Sequence, residues 1–304
     1  MTDTIFLVAT AIFLFLYGLE HFGQEIHRLG VNRFQGALER FASNRWRGFA
    51  LGALLTALLQ SSSAVSALTV ALVNSGVISF RNSLAILFGS NVGTTLTAQI
   101  VAMKLTGIGP IFIVLGSLLS LVKIRASIVG KTLFYFGFIF FSLDLISSSL
   151  APLRESPQVL NFLAQAESPV LGVLIGLVVT LILQSSSVSS GLVVLLVQQS
   201  ALSIEAAIPL ILGANLGTTG TALLASIGMD RAAKRSAIGN ALFNFFGVCL
   251  VFPFLGLFVS FLLKLDTHPS QVVANAHLLF NLGASFIFIL FLKSFERLLM
   301  KIYP

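Results

Sequence analysis

The residues best equipped for chemistry form two copies of one tetrapeptide. Gln60-Ser61-Ser62-Ser63 recurs as Gln184-Ser185-Ser186-Ser187, each inside an apolar run, 54–73 and 174–197. Polar groups at that depth in a membrane are costly unless water, an ion or a ligand satisfies them. Three hydroxyls and an amide supply many oxygen lone pairs and several donors. Such a set can hold an alkali cation through oxygen and an oxyanion through O–H. A serine face is often only glue between helices, but three consecutive serines cannot share one helix face.

A second duplicated element follows each tetrad. It reads Gly89-Ser90-Asn91-Val92-Gly93-Thr94-Thr95 and Gly213-Ala214-Asn215-Leu216-Gly217-Thr218-Thr219. Two glycines around an asparagine predict a broken transmembrane helix. The half ending near the first glycine would offer carbonyls to a cation, and the half starting at the threonines would offer N–H groups to an anion. The simpler alternative is a glycine kink filled by neighbouring helices. Ionisable groups are scarce around both motifs: Arg81 alone in 48–103 and Glu205 alone in 170–228, both in loops. An oxyanion held there would need its charge balanced by co-bound cations rather than by Arg or Lys. That favours cation-coupled symport.

The elements that must position these residues are membrane helices. Of 304 residues 56% are hydrophobic and only 10% charged, and the mean hydropathy is +0.98; a soluble domain carries roughly a quarter charged residues. The first apolar stretch, 4–20, lacks the basic start of a signal peptide and is kept as a membrane helix. Further apolar segments fall at 48–76, 82–103, 107–122, 127–150, 170–200, 206–228, 236–262 and 272–292. An offset of 124 superposes 48–98 on 172–222 without a gap, with about 21 of 51 positions identical. The same offset pairs Gly48, Gly52 and Thr56 with Gly172, Gly176 and Thr180. Small residues spaced by four favour close helix approach.

Charge position sets the expected topology. If both QSSS segments are re-entrant hairpins and the other seven segments cross, 15 of the 18 Lys and Arg residues share one side. Only Lys104, Arg154 and Lys264 face the other. The rich side is cytoplasmic, which puts the N-terminus outside and the C-terminus inside. Three crossings separate the hairpins, so the repeats are expected to be inverted and their tips to meet near the midplane. The expected fold is an all-α membrane protein of inverted repeats, each with a re-entrant QSSS helical hairpin and a broken transmembrane helix. It divides into a first helix and interfacial stretch (1–47), repeat 1 (48–150) and repeat 2 (151–304). The interfacial stretch, 24–47, is rich in arginine and suits anionic lipid; 152–168 is a nearly neutral counterpart. The net charge of +7 therefore points to membrane lipid and not to nucleic acid.

The paired QSSS tetrads with paired G-x-N-x-G-T-T resemble the sodium/phosphate cotransporter family over essentially the whole chain. The resemblance implies sodium-driven uptake of inorganic phosphate, with sodium as coupling ion and no other cofactor. Phosphate is then expected at Ser61, Ser62, Ser63, Ser185, Ser186, Ser187, Thr94, Thr95, Thr218 and Thr219. Sodium is expected at Gln60, Gln184, Ser185, Asn91, Asn215, Thr56 and Thr180. Many bacterial relatives carry a PhoU-like helical domain after the membrane part, so a sequence that stops at Pro304 is expected to be a short bacterial member or a truncated one, residing in the cell membrane, with a homodimer allowed. Phosphate export, another oxyanion such as sulfate, and a passive anion channel stay open as alternatives.

Other polar residues read more plainly. Leu242-Phe243-Asn244 repeats as Leu279-Phe280-Asn281, with Asn240 and His277 nearby, and suggests amides satisfied across helices. Asp144 is an intramembrane carboxylate or lies near the outer surface, capped by Ser147 to Ser149, in even balance. His21, His27 and His268 lie near loops. No His, Asp or Cys constellation accompanies the serines, so an enzyme is not expected. The single cysteine, Cys249, allows no internal disulfide.

Overall fold

The computed structural model describes residues 2–41, 44–103, 107–122, 124–150 and 168–304. The side chains of 2–5, 26–43, 124–126 and 150 are not described. Among the described residues the chain is helical, without strands. In order the helices are α1 (Thr2–Phe41), α2 (Arg45–Leu59), α3 (Ser62–Asn74), α4 (Phe80–Ala102), α5 (Ile108–Ser120) and α6 (Ile124–Leu150). After residue 167 come α7 (Pro169–Leu183), α8 (Ser186–Gln198), α9 (Ile204–Ala225), α10 (Arg231–Val251), α11 (Leu255–Leu265), α12 (Pro269–Leu290) and α13 (Leu292–Ile302). Among the described residues six stretches are long and apolar enough to cross a membrane: 6–25, 80–102, 127–149, 204–225, 231–265 and 269–290. The crossing expected over 107–122 is not among them. There α5 has 13 residues, about 20 Å of helix against a hydrocarbon core of about 30 Å.

Each QSSS tetrad interrupts a helix. Gln60 and Gln184 adopt the left-handed conformation, with φ of 52° and 53°. The serine that follows is extended and caps the next helix: Ser61 accepts from the Ala64 N–H and Ser185 from the Val188 N–H. Serine is a favoured N-cap because its oxygen satisfies one of the orphan N–H groups of a helix start. The tetrad is thus a stop signal followed at once by a start signal.

The expected break at G-x-N-x-G-T-T is not there. α4 runs unbroken for 23 residues through Gly89–Thr95 and α9 for 22 through Gly213–Thr219. The polar side chains are satisfied along their own helices. Thr94 and Thr95 donate to the Ser90 and Val92 carbonyls, Thr218 and Thr219 to those of Ala214 and Leu216. The glycines instead allow close packing. A Cβ at Gly52 would lie 2.1 Å from the Ile86 carbonyl oxygen, at Gly89 1.9 Å from that of Phe49, and at Gly93 2.3 Å from that of Ala53. These contacts climb both chains in one direction, so α2 and α4 run parallel. The second copy repeats the seam: Gly176 meets Leu210, Gly213 meets Val173 and Gly217 meets Leu177. Glycine's cost in a helix interior, about 1 kcal/mol each, is offset by backbone contact.

Around α4 and α9 the remaining helices build the core. α1 lies on α6 and on the end of α2, where Gly23 abuts the Leu59 carbonyl. α5 and α6 pack antiparallel through Gly109, Gly116, Gly130 and Gly137. Asp144 accepts from the Gly107 N–H just before α5. α13 buries Leu292, Phe295 and Leu299 at helical spacing and exposes Lys293, Arg297 and Lys301. Its Phe295 joins Phe88, Phe243 and Phe288 in an aromatic cluster, Phe88 and Phe243 stacked at 4.5 Å.

Basic residues gather at one end. Arg45 donates to the Ile289 carbonyl, Arg235 to that of Tyr303, and Arg81 pairs with Glu296. Because Arg81 is about half exposed (49%), Glu296→Gln is expected to cost under about 1 kcal/mol. A melting temperature within about 4 °C of the parent is the result to look for in a thermal-shift assay. The arginine-rich stretch is helical up to Phe41. The neutral counterpart over 152–168 lies, up to residue 167, outside the described residues, as do Lys104 and Arg154.

Candidate ion and oxyanion site

The two tetrads meet. Ser63 donates through Oγ to the Gln184 carbonyl at 3.3 Å, although 121 residues separate them. Thr221 of α9 donates to Ser63 Oγ at 3.4 Å. On the same tip as Ser63, Thr97 of α4 donates to Gln60 Oε1 at 2.6 Å while Gln60 Nε2 donates to the Ala57 carbonyl. Gln184 makes the equivalent bond to Leu181. Thr97 and Thr221 are functional candidates that the motif reading passed over. Their signal was visible, since the offset of 124 pairs them two residues beyond the threonines of the motif.

The tips also carry fixed positive potential. α3 and α8 begin at Ser62 and Ser186. Their first-turn N–H groups are not all used by the cap, and the helix dipole favours an anion there. Ser62, Ser186 and Ser187 are buried, and Ser61 and Ser185 line a cavity of about 800 Å³. That cavity is shared by both tips and by α1: Gln60 and Gln184 line it beside Glu20 and Gln24. Glu20 was missed because no local motif marks it.

Among the described residues no hydrogen bond joins the other expected site residues directly to the tetrads, although Thr180 reaches the Ser185 carbonyl through Ser189. Thr94, Thr95, Thr218 and Thr219 are buried with their hydroxyl protons engaged; their lone pairs remain as acceptors. Asn91 donates to Asn240 Oδ1 at 3.0 Å and accepts from Asn244 at 3.2 Å, while Asn215 accepts from Asn281 at 3.1 Å. The Leu-Phe-Asn pair therefore donates its amides across helices, while Oδ1 of Asn244 and of Asn281 is buried with no partner among the described residues. His277, one turn before Asn281, is fully buried, and neither ring nitrogen has a partner among the described residues. Thr56 bonds Ser90 at 2.7 Å, joining α2 to α4. Thr180 bonds Ser189 instead, at 2.7 Å. The second copy has Ala214 where the first has Ser90, and Ser189 where the first has Val65, so each threonine keeps one buried partner.

A protein-family model described as Na+/Pi-cotransporter matches residues 14–148 and 155–294. The chain belongs to the Na+/Pi-cotransporter family. Among its relatives within reach of curated names, YqeW of Bacillus subtilis is 30% identical over 295 residues, 96% of each chain. YjbB of Escherichia coli K12, whose name proposes inorganic phosphate export, is 30% identical over 90% of this chain and 52% of its own length. Human sodium-dependent phosphate transport protein 2B is 32% identical over 154 residues, 48% of this chain and 22% of that protein. No solved structure matches. Membership of this cotransporter family, together with the apolar helices, makes the chain a multi-pass membrane protein of a phosphate-transporting family.

Proposed function

We propose that the chain is a sodium-coupled carrier of inorganic phosphate that works by alternating access at the two tetrad tips. The observation that carries this reading is the contact between Ser63 and the Gln184 carbonyl, which joins two opposed helix breaks at one cavity. α4 starts level with α2 and runs beside it, so α3 must return the chain to the side from which α2 came. That is the behaviour of a re-entrant hairpin, and α7, α8 and α9 repeat it. The α2 start lies near the end that holds Arg45, Arg81 and Arg235. The α7 start lies with the beginning of α9, beside which Gln198 bonds the Val101 carbonyl at the far end of α4. We therefore read the repeats as inverted, with tips arriving from opposite leaflets. Placing the basic end in the cytoplasm leaves the C-terminus inside and the N-terminus outside.

Phosphate is assigned to the Ser61–Ser63 and Ser185–Ser187 hydroxyls and first-turn N–H groups. Sodium is assigned to oxygens around them, Gln60, Gln184 and the tip carbonyls first among them. Each sodium entering gains roughly 2.3 kcal/mol per 100 mV, so a divalent phosphate needs at least two to break even electrically. The names of the relatives support phosphate as cargo, while sodium dependence in one and export in another leave direction to experiment. The test is labelled phosphate uptake into proteoliposomes under an inward sodium gradient. Accumulation above equilibrium is expected, with loss in Gln184→Gly and Ser185→Ala and competition by arsenate before sulfate. Uptake indifferent to sodium would reduce the protein to a passive channel, and survival of both variants would move the site elsewhere.

A further inference from the structure

We infer that Glu20 of α1 is a cation-recruiting residue of this cavity. The inference rests on the reading of the tips as a sodium and phosphate site. Glu20 is the one ionisable side chain among the residues lining the cavity, and it shares that lining with Gln60, Ser61, Gln184 and Ser185. Gln24 Nε2 donates to Glu20 Oε1 at 3.1 Å, which fixes the carboxylate one turn before Gln24 on the same wall. Among the described residues nothing donates to Oε2, and no Lys, Arg or His lies in the lining to neutralise the charge.

The rest of the wall is largely apolar, with Leu16, Leu19, Leu55 and Leu59. Low-dielectric walls focus the field of a single charge, raising the local concentration of its counter-ion and lowering that of like charge. Here the fixed charge is negative and the cargo is an oxyanion, so an unoccupied cation site would repel phosphate. Sodium held near the carboxylate and the tip oxygens removes that repulsion.

The inference predicts two changes of opposite sign. Binding of ²²Na⁺ and of labelled inorganic phosphate would be measured on the purified full chain in detergent. In Glu20→Gln, which keeps a side-chain oxygen for Gln24, half-saturating sodium is expected to rise about tenfold. Phosphate binding without sodium should tighten about threefold. Glu20→Asp, which keeps the charge, is expected to stay within about twofold of the parent on both measures. Gln24→Glu adds a second carboxylate and should move both measures the other way, which keeps the test intact if Glu20→Gln does not accumulate. Joint weakening of both ligands would mean a purely structural role and overturn the inference. So would a Glu20→Gln protein that binds both as the parent does. If the parent itself shows sodium-dependent phosphate binding, that second outcome sinks only the role of Glu20. If the parent shows none, the reading of the tips falls with it.

Discussion

Gly89→Ala and Gly213→Ala should each leave little folded protein in the membrane. A Cβ at Gly89 would sit 1.9 Å from the Phe49 carbonyl oxygen and 2.8 Å from its carbon, and at Gly213 2.0 Å from the Val173 oxygen. The obstructing atoms are backbone, so no rotamer change relieves them, and α2 or α7 must move bodily. Overpacking commonly costs 1–3 kcal/mol; a whole helix displaced from a seam of three glycines is expected to exceed the upper figure. Gly256→Ala is the control, since nothing lies within 4 Å of its added atom. Fluorescence-detected size-exclusion chromatography checks this. Monodisperse Gly89→Ala and Gly213→Ala with parental melting temperatures would refute the seam.

Gln60→Gly and Gln184→Gly should fold as the parent does and yet lose phosphate uptake, about 100-fold each. Both positions have positive φ, a conformation glycine adopts without strain, so glycine removes the amide while sparing the turn. Alanine would confound the two effects. The lost amide includes Gln60 Oε1, which accepts from Thr97 at 2.6 Å, and hydrogen bonds to charged groups contribute about 1.5–3 kcal/mol. That range corresponds to roughly 10- to 100-fold in an equilibrium constant. Thr97→Val should act in the same direction and less strongly. Initial rates of labelled phosphate uptake, normalised to protein in the vesicles, provide the measurement. Parental rates in the glycine variants would show that the turn alone, without its side chains, suffices.

Much of this site was readable from residue type and spacing. The tetrads stood out because serine and glutamine are expensive in an apolar run, and they are where the helices stop. The offset of 124 anticipated the duplicated seam, including Gly52 with Gly176 and Thr56 with Thr180. The misreading at G-x-N-x-G-T-T has a physical cause. Glycine lowers local helix propensity by the same amount whether it marks a break or a close approach, and only the carbonyls of Phe49, Ala53, Val173 and Leu177 across the seam distinguish them. The short α5 was hidden because apolar composition does not fix helix length. Glu20 was out of sight because a cavity is built from residues far apart in the chain, and a single acid on α1 has no spacing to announce it.

The unbroken α4 and α9, each locked to its companion by backbone-to-backbone contact, divide the mechanical labour. A tip helix and its pillar are stiff enough to travel as one solid body. At the tips themselves the bodies touch through slack hydroxyl bridges of 3.3 and 3.4 Å, which a ligand oxygen can replace at small energetic penalty. Under the proposed alternating access, gating would be a matter of rigid pieces parting at their loosest joint, with cargo acting as the wedge or the glue.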